Sequence, residues 1–441
     1  MLDKDFTISK ELKATLISVV CPNLPYHEDS DQVNRSLLEL KELLRTLSVP
    51  VGSQHIQVKK SVDPASIVGS GKLMEIADIA REEGSKILIF DCELTASQIR
   101  NIKDLTKIPV IDRCQVILEI FAQHARTKEA KIQIEISRLQ YLLPRLTGFW
   151  SHLGRQKGGI GVRGGEGEQQ IELDRRIIRE RIEFYKEELK TIIKSRLQQG
   201  KKRKDKAITA ALVGYTNAGK SSIMNRLCKV NVLEENKLFA TLDSTYRMLN
   251  PDTKPPMVLI DTVGFISNLP ATLIEGFKTT LESAIEADLL VIVCDISDPH
   301  FKTQLEVTEK VLKDLDIYEK DKIIVFNKKD LLHDDLKKKI ILRTFPNSFL
   351  VSSYDDKDIS NLRKYIIEFF LEKQEKFDLF IPYEIGEAHA KVSKNTNILK
   401  RFNHERGIFY RIRVPDFIFE RLGLNNYILS PKDELYKSLS F

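Results

Sequence analysis

Eight consecutive residues, Gly214-Tyr215-Thr216-Asn217-Ala218-Gly219-Lys220-Ser221, fit the phosphate-loop pattern GxxxxGK[ST]. Glycines let the main chain curl so that its N–H groups point at phosphate oxygens, and the following helix N-terminus favours negative charge. In that chemistry the Lys220 ammonium neutralises the β- and γ-phosphates, and the Ser221 hydroxyl ligates Mg²⁺. The apolar strand Ile208 to Val213 ahead of the loop and the helical segment Lys220 to Leu227 behind it supply the context the motif needs. Asp261-Thr262-Val263-Gly264 closes a second apolar strand, Met257 to Ile260; a carboxylate there can hold the magnesium shell through water, and the Gly264 N–H can sense the γ-phosphate. Asn327-Lys328-Lys329-Asp330 follows the strand Ile323 to Phe326. The Asp330 carboxylate can accept from the N1–H and 2-amino groups of guanine, donors that adenine lacks, so the pattern selects guanine. Asn327 is expected to tie this segment back to the phosphate loop. Val351-Ser352-Ser353-Tyr354 ends the next strand and is expected to offer backbone N–H groups to the guanine O6, with Ser353 where alanine is usual.

Between the phosphate loop and Asp261, a threonine should contact both metal and γ-phosphate. Thr241, in Phe239-Ala240-Thr241-Leu242-Asp243, and Thr245 are both candidates on chemistry alone. The residue after Gly264 is Phe265, where Ras-like enzymes carry a glutamine that orients the attacking water. Phenylalanine offers no such hydrogen bond, so hydrolysis by the isolated chain should be slow, with the polar group supplied by another element, a cation or a partner. Asn217 makes K⁺ a candidate, because asparagine recurs at this loop position in GTPases that bind K⁺ beside the phosphates; the plain alternative is an asparagine capping its own turn.

These segments need a scaffold, and the chain divides into stretches that could provide it. The fold class expected is α/β: a GTPase domain with a mostly parallel sheet (206–373), an N-terminal α/β domain (1–124), a long helical hairpin with a glycine-rich basic loop (125–205) and a small C-terminal α+β domain (374–441). In the first stretch Ala14 to Val20 and Lys86 to Phe90 read as strands. Asp31 to Leu47, with leucines at helical spacing, and Gly71 to Glu83 read as helices. Ile132, Ile136, Leu139 and Leu143 form one stripe of a helix from Ala125 to Leu146. A glycine-dense loop is expected from Gly148 to Gly167, then a charged helix from Ile171 to Leu197. The run Gly200 to Lys206 reads as a solvated linker. Beyond Phe326, Phe349 to Ser352 and Phe409 to Val414 read as strands and Ile385 to Val392 as a helix.

The whole chain has 441 residues, enough for roughly three domains, and a net charge of +6 that permits a polyanionic partner without requiring one. Five scattered cysteines without metal-ligand spacing point to free thiols in a reducing cytosol. The polar N-terminus does not read as a secretory signal, and no apolar run approaches membrane-span length, so the expectation is a cytoplasmic monomer without membrane insertion. Ser70-Gly71-Lys72 resembles a miniature phosphate loop but lacks the glycine spacing, and a turn with a helix start is the simpler reading. His300, His389 and His404 fall in separate elements and suggest no transition-metal site.

Taken together, the segments resemble the HflX family of ribosome-associated GTPases over most of the chain. The resemblance rests on GYTNAGKS at Gly214 to Ser221, FATLD at Phe239 to Asp243 and DTVGF at Asp261 to Phe265. It extends to Asp112-Arg113, Ile120-Phe121-Ala122, Ala125-Arg126-Thr127, LQYLLPRL at Leu139 to Leu146, and GGIGVR at Gly158 to Arg163 with Glu172, Asp174, Arg175 and Arg176. Where the family usually carries RGPGET, this chain has RGGEGEQ at Arg163 to Gln169, one residue longer and without proline. The resemblance implies Thr241 as the switch threonine and metal ligand beside Ser221. It further implies binding to the large (50S) ribosomal subunit and its rRNA, GTP hydrolysis stimulated by that subunit, and a part in splitting or rescuing stalled ribosomes. Arg145, His152, Arg155, Lys157 and Arg163 with Phe149 and Trp150 are then expected to form an RNA-contacting hairpin tip. The rival readings are an RNA-binding ribosome-assembly GTPase, or a scaffold that holds GTP as a structural ligand.

Overall fold

The computed structural model describes residues 12–25, 27–148, 165–204, 207–228, 239, 244–250, 254, 256–267, 281 and 284–429. They belong to two compact units: Met1–Ile192 with Glu235–Asp243 and Ile266–Thr280, and Ile193–Glu234 with Ser244–Phe265 and Leu281–Phe441.

In the first unit, strands β1 (Ala14–Val20), β2 (Val51–Val58), β3 (Ile87–Phe90) and β4 (Val110–Asp112) form a parallel sheet in the order β2-β1-β3-β4. The helices α1 (Ser30–Thr46), α2 (Ser70–Glu82) and α3 (Ala96–Thr106) connect them, and α4 (Arg113–His124) follows. Local chemistry sets where these helices begin. Asp29 caps α1 by accepting from the Gln32 N–H, Thr95 and Gln98 form a reciprocal capping box on α3, and Asp112 caps α4. The leucine spacing of α1 delivers Leu37, Leu40 and Leu44 to the core, as the helical periodicity predicts. Ser70 opens α2, so the Ser70-Gly71-Lys72 stretch is a helix start.

The helical pattern expected without a break from Ala125 to Leu146 is interrupted at both ends. Thr127 caps a new helix, α5 (Lys128–Leu142), and a 3-10 turn, Leu143–Gly148, follows it; Pro144 in that turn has no N–H to continue an α-helical ladder. Next comes α6 (Gly165–Lys204), longer than expected at both ends. Gly165 to Gly167 are helical where a loop was expected, and Gly200 to Lys204 are helical where the linker was expected. Lysine, arginine and glutamine are good helix formers, and one interior glycine costs only about 1 kcal/mol. Ile132, Ile136, Leu139 and Leu146 pack with Ile178 and Ile182, so the expected apolar stripe does join the two helices.

Arg145 corrects the sequence reading more sharply. Its side chain is 8% exposed, not displayed on a hairpin tip. Nη2 donates to the Leu94 carbonyl at 2.6 Å and lies 3.5 Å from Asp112 Oδ2, Nη1 donates to the Tyr141 carbonyl at 2.9 Å, and the guanidinium lies 3.6 Å from the Tyr141 ring centre. Burial raises the Asp112 pKa even with Arg145 beside it. The other expected tip residues, Phe149, Trp150, His152, Arg155, Lys157 and Arg163, lie outside the described residues.

The second unit is built on a six-stranded sheet in the order β10-β9-β8-β5-β7-β6. Its strands are β5 (Ile208–Gly214), β6 (Thr245–Asn250), β7 (Met257–Asp261), β8 (Leu289–Asp295), β9 (Lys322–Asn327) and β10 (Ser348–Leu350). All neighbours pair in parallel except β6, which runs antiparallel on the edge beside β7. Helices α7 (Lys220–Leu227), α8 (Phe301–Asp314), α9 (Asp335–Thr344) and α10 (Asp356–Glu372) accompany it. A three-stranded antiparallel sheet, β11 (Gln374–Pro382), β12 (Asn397–His404) and β13 (Gly407–Pro415), follows with α11 (Gly386–Asn395) and α12 (Asp416–Leu422). One apolar cluster runs from Ile208 and Leu212 in β5 through Leu362 and Phe370 in α10 to Ile412 in β13 and Phe419 in α12.

Arg145→Met should destabilise the chain by about 3–5 kcal/mol, because it strands the buried Asp112 carboxylate without its cation. Urea unfolding of the purified protein measures this; an unchanged midpoint would mean that the buried pair contributes nothing.

Candidate phosphate and guanine site

The site lies where the C-terminal ends of β5, β7 and β9 face one another, the place parallel α/β sheets offer ligands. From the end of β5 the chain turns through Tyr215 to Ala218 and enters α7 at Lys220. Gly219, at φ +89°, forms the helix cap. A Cβ there would come within 2.2 Å of Asn327 Nδ2, so the position needs glycine for its space as well as its backbone angle. The close approach serves a bond: Asn327 Nδ2 donates to the Ala218 carbonyl at 3.0 Å, while Asn327 Oδ1 accepts from the Ser353 N–H at 3.2 Å. One buried amide thereby fastens three loops, as the sequence led us to expect for its contact with the phosphate loop.

On the phosphate side, Lys220 Nζ donates to the Tyr215 carbonyl at 2.8 Å and the Gly214 carbonyl at 3.2 Å. Burial pushes its pKa down to about 8, partly opposed by the Asp261 carboxylate. The Ser221 hydroxyl donates to Asp261 Oδ2 at 2.7 Å. These two hard oxygen donors, side by side next to a buried lysine, fit the chemistry of Mg²⁺ held against phosphate. Thr262 Oγ1 donates to the Leu212 carbonyl at 2.7 Å, and Val263 is buried. Gly264 lies against the loop: a Cβ on it would fall 2.8 Å from Thr216 Cα and 2.9 Å from Lys220 Nζ. Phe265 continues the contact with its backbone, its N–H donating to the Gly214 carbonyl at 3.0 Å and its carbonyl accepting from the Thr216 N–H at 2.7 Å. The ring of Phe265 is buried, so this residue presents no polar side chain to the site. Asn217 holds a left-handed φ of +58° in the loop.

On the base side, Asp330 sits in a short 3-10 turn, exposed and without a hydrogen bond among the described residues. Its neighbours are tied down. Lys328 Nζ lies 2.6 Å from Asp295 Oδ2, and Lys329 pairs with Asp358, which also accepts from the Ser352 N–H at 2.8 Å. The Tyr354 N–H donates to Ser352 Oγ at 3.2 Å, so the three N–H groups of Ser352, Ser353 and Tyr354 all have acceptors within the protein. Asp295 and Asp358 went unnoticed in the sequence. Asp295 closes an apolar strand as Asp261 does, which was a usable signal. Asp358 was hidden among Asp355 and Asp356 at the start of α10.

Phe239 belongs to the first unit, buried, at φ +56°, with its ring 4.5 Å from that of Phe121 on α4. Ala240, Thr241, Leu242 and Asp243 lie outside the described residues. Thr245, the other candidate, is the first residue of β6 and pairs with Asp261. Among the described residues no His, Cys, Asp and Glu group could hold a further metal, no helix is long and apolar enough to cross a membrane, and all five cysteines are free.

Family models match three consecutive stretches: a GTP-binding GTPase N-terminal region at residues 34–122, a GTP-binding GTPase middle region at 124–203, and a 50S ribosome-binding GTPase domain at 209–328. The GTPase HflX of Caldanaerobacter subterraneus subsp. tengcongensis is 38% identical over 404 residues, covering 91% of each chain. That of Escherichia coli is 36% identical over 408 residues, covering 91% of this chain and 95% of its own. Among solved structures, a GTP-binding protein from the archaeon Sulfolobus solfataricus in complex with GDP is 23% identical and aligns with 81% of this chain and 98% of its own, with a TM-score of 0.44.

Gly219→Ala should displace Asn327 from the Ala218 carbonyl and destabilise the fold by about 1–3 kcal/mol, the cost of a buried amide left without its partner. Thermal unfolding of the variant checks it, and a melting temperature equal to wild type would contradict the steric argument.

Proposed function

The chain belongs to the HflX family of GTPases, and on that premise we propose that it is a Mg²⁺-dependent GTP switch that binds the large ribosomal subunit and its rRNA, is stimulated by it, and splits or rescues stalled ribosomes. As GTP hydrolases, members of the family turn over their nucleotide, which sets aside the scaffold reading. The observation that carries the nucleotide assignment is the Asn327 amide, which fastens the phosphate loop at Ala218 to the base-side loop at Ser353.

In this reading the N–H groups of the loop Gly214 to Ser221 would cradle the phosphates, Lys220 would turn from its loop carbonyls to the β- and γ-phosphates, and Ser221, Thr241 and Asp261 would hold Mg²⁺. The metal supplies charge neutralisation at the phosphates. Asp330 reads guanine, flanked by Lys328, Lys329 and the segment Ser352 to Tyr354. Thr241 and Gly264 hold the γ-phosphate in the GTP form and are released on hydrolysis. K⁺ beside Asn217 belongs to the proposal, as does action as a cytoplasmic monomer.

Asp330→Asn should weaken GTP binding by at least about tenfold and erode the preference for guanine over adenine nucleotides. Competition binding with both nucleotides measures this, and intact selectivity would remove Asp330 from the base site. The ribosomal half of the proposal is tested by sedimenting intact ribosomes with protein and GTP, alongside phosphate release with and without large subunits, in K⁺ and in Na⁺. The expected result is loss of the monosome peak into subunits, with hydrolysis stimulated by large subunits and faster in K⁺. Co-sedimentation with assembly precursors alone would favour the ribosome-assembly reading, and equal rates in the two salts would remove K⁺.

A further inference from the structure

A buried hydroxyl in the phosphate loop has no partner among the described residues. Thr216 is 6% exposed, and its Oγ1 makes no hydrogen bond to any described residue. Such a group destabilises a fold, and its persistence calls for a reason elsewhere, in an ion, a water or a ligand. Its position narrows the choice. The Thr216 N–H donates to the Phe265 carbonyl at 2.7 Å. A Cβ placed on Gly264 would meet Thr216 Cγ2 and Lys220 Nζ, each at 2.9 Å. The Thr216 methyl, the Lys220 ammonium and the Gly264 main chain therefore converge on one spot, and the Thr216 hydroxyl is borne on the same Cβ as that methyl. If the GTP reading holds, that spot receives the γ-phosphoryl group, since Lys220 and the Gly264 N–H are both assigned to it.

Among the described residues, the segment after Asp261 adds no free hydrogen-bonding side chain to that spot. Phe265 has none to offer and its ring is buried, while the Thr262 hydroxyl is spent on the Leu212 carbonyl. We propose that the Thr216 hydroxyl is a catalytic residue for GTP hydrolysis, donating a hydrogen bond to the γ-phosphoryl group once the Gly264–Phe265 segment lifts from the loop to admit it. The inference rests on the GTPase reading and deepens it. In the reaction, water adds to the γ-phosphorus, the bond to the β–γ bridging oxygen breaks, and its electron pair leaves on GDP. Thr216 keeps its proton throughout. Its hydrogen bond strengthens as charge redistributes over the phosphoryl oxygens, the moment at which a prepositioned donor is worth most. GDP has no γ-phosphoryl group, so the hydroxyl adds nothing to GDP binding. The unpaired hydroxyl also fits the pattern in which functional sites give up stability for activity.

Thr216→Val removes the hydroxyl and keeps the shape, Thr216→Ser keeps the hydroxyl and removes the methyl, and Thr216→Ala is the second hydroxyl-free variant should valine fold poorly. The full-length protein is used, with single-turnover hydrolysis of GTP measured with and without large ribosomal subunits, GDP affinity by titration, and melting of the nucleotide-free chain. For valine, hydrolysis should fall by at least about tenfold while GDP affinity stays within about threefold, the signature of a contact with the γ-phosphoryl group that strengthens in the transition state. Its melting temperature should equal or exceed that of wild type, and serine should hydrolyse within about threefold of wild type. Wild-type hydrolysis in the valine or alanine variant, or equal losses in serine and valine, would overturn the proposal. A wild-type chain that fails to bind or hydrolyse GTP would overturn the GTPase reading itself, a result visible without any variant.

Discussion

The architecture of the site hangs on one side-chain amide. Asn327 ends a buried strand, is 1% exposed, and uses donor and acceptor in opposite directions, toward Ala218 and toward Ser353. A buried amide tolerates no slack, because either half left unpaired costs about as much as a hydrogen bond to a neutral partner contributes, or more. That requirement propagates. Gly219 must lack a Cβ, and β9 must end level with β5, from which it is separated in the sheet only by β8. Asp358 then holds the Ser352 N–H, so the loop that Asn327 fastens is fixed from a second side. The exposed Asp330 carboxylate is positioned by its neighbours, since Lys328 and Lys329, the two residues before it, are pinned to Asp295 and Asp358.

Legibility followed the scale of the interaction that decides each feature. Motif residues could be read because their chemistry is local: Gly219, Lys220, Ser221, Asp261 and Asn327 are brought together by elements whose apolar strands and helical caps are written in adjacent residues. Strand β1 was legible from end to end, because a strand buried on both faces is a continuous apolar run. Strand β2, VGSQHIQV, was not, since half its side chains are polar and its pairing with β1 is what makes it a strand. The antiparallel edge strand β6 was missed for the same reason. The extension of α6 to Lys204 was obscured because a run of lysines and arginines reads equally as linker and as helix.

Arg145 shows where residue type misleads. A cation near a glycine-rich loop reads as a ligand for phosphate, yet Asp112, well separated in sequence, claims it. Nothing near Arg145 in the chain announces that carboxylate, because Asp112 already has a local role as the cap of α4. One aspartate serving two elements is invisible to a reading that assigns each residue a single job. The pairing also fixes the turn after α5 to the sheet of the first unit, through Leu94 and Asp112.

The stretch after Asp261 carries the same logic to the nucleotide. Phe265 was read as a deficit, a ring where a polar side chain would help hydrolysis. In the structure its contribution is made by the main chain, which pairs with Gly214 and Thr216 while the ring is buried. Two residues later the Ser267 carbonyl accepts from Arg113, whose guanidinium is itself held by Asp91, Glu39 and Ser36 within the first unit. The main chain of Phe265 is thus tied on both sides to the phosphate loop, and its side chain brings no polar group to the site.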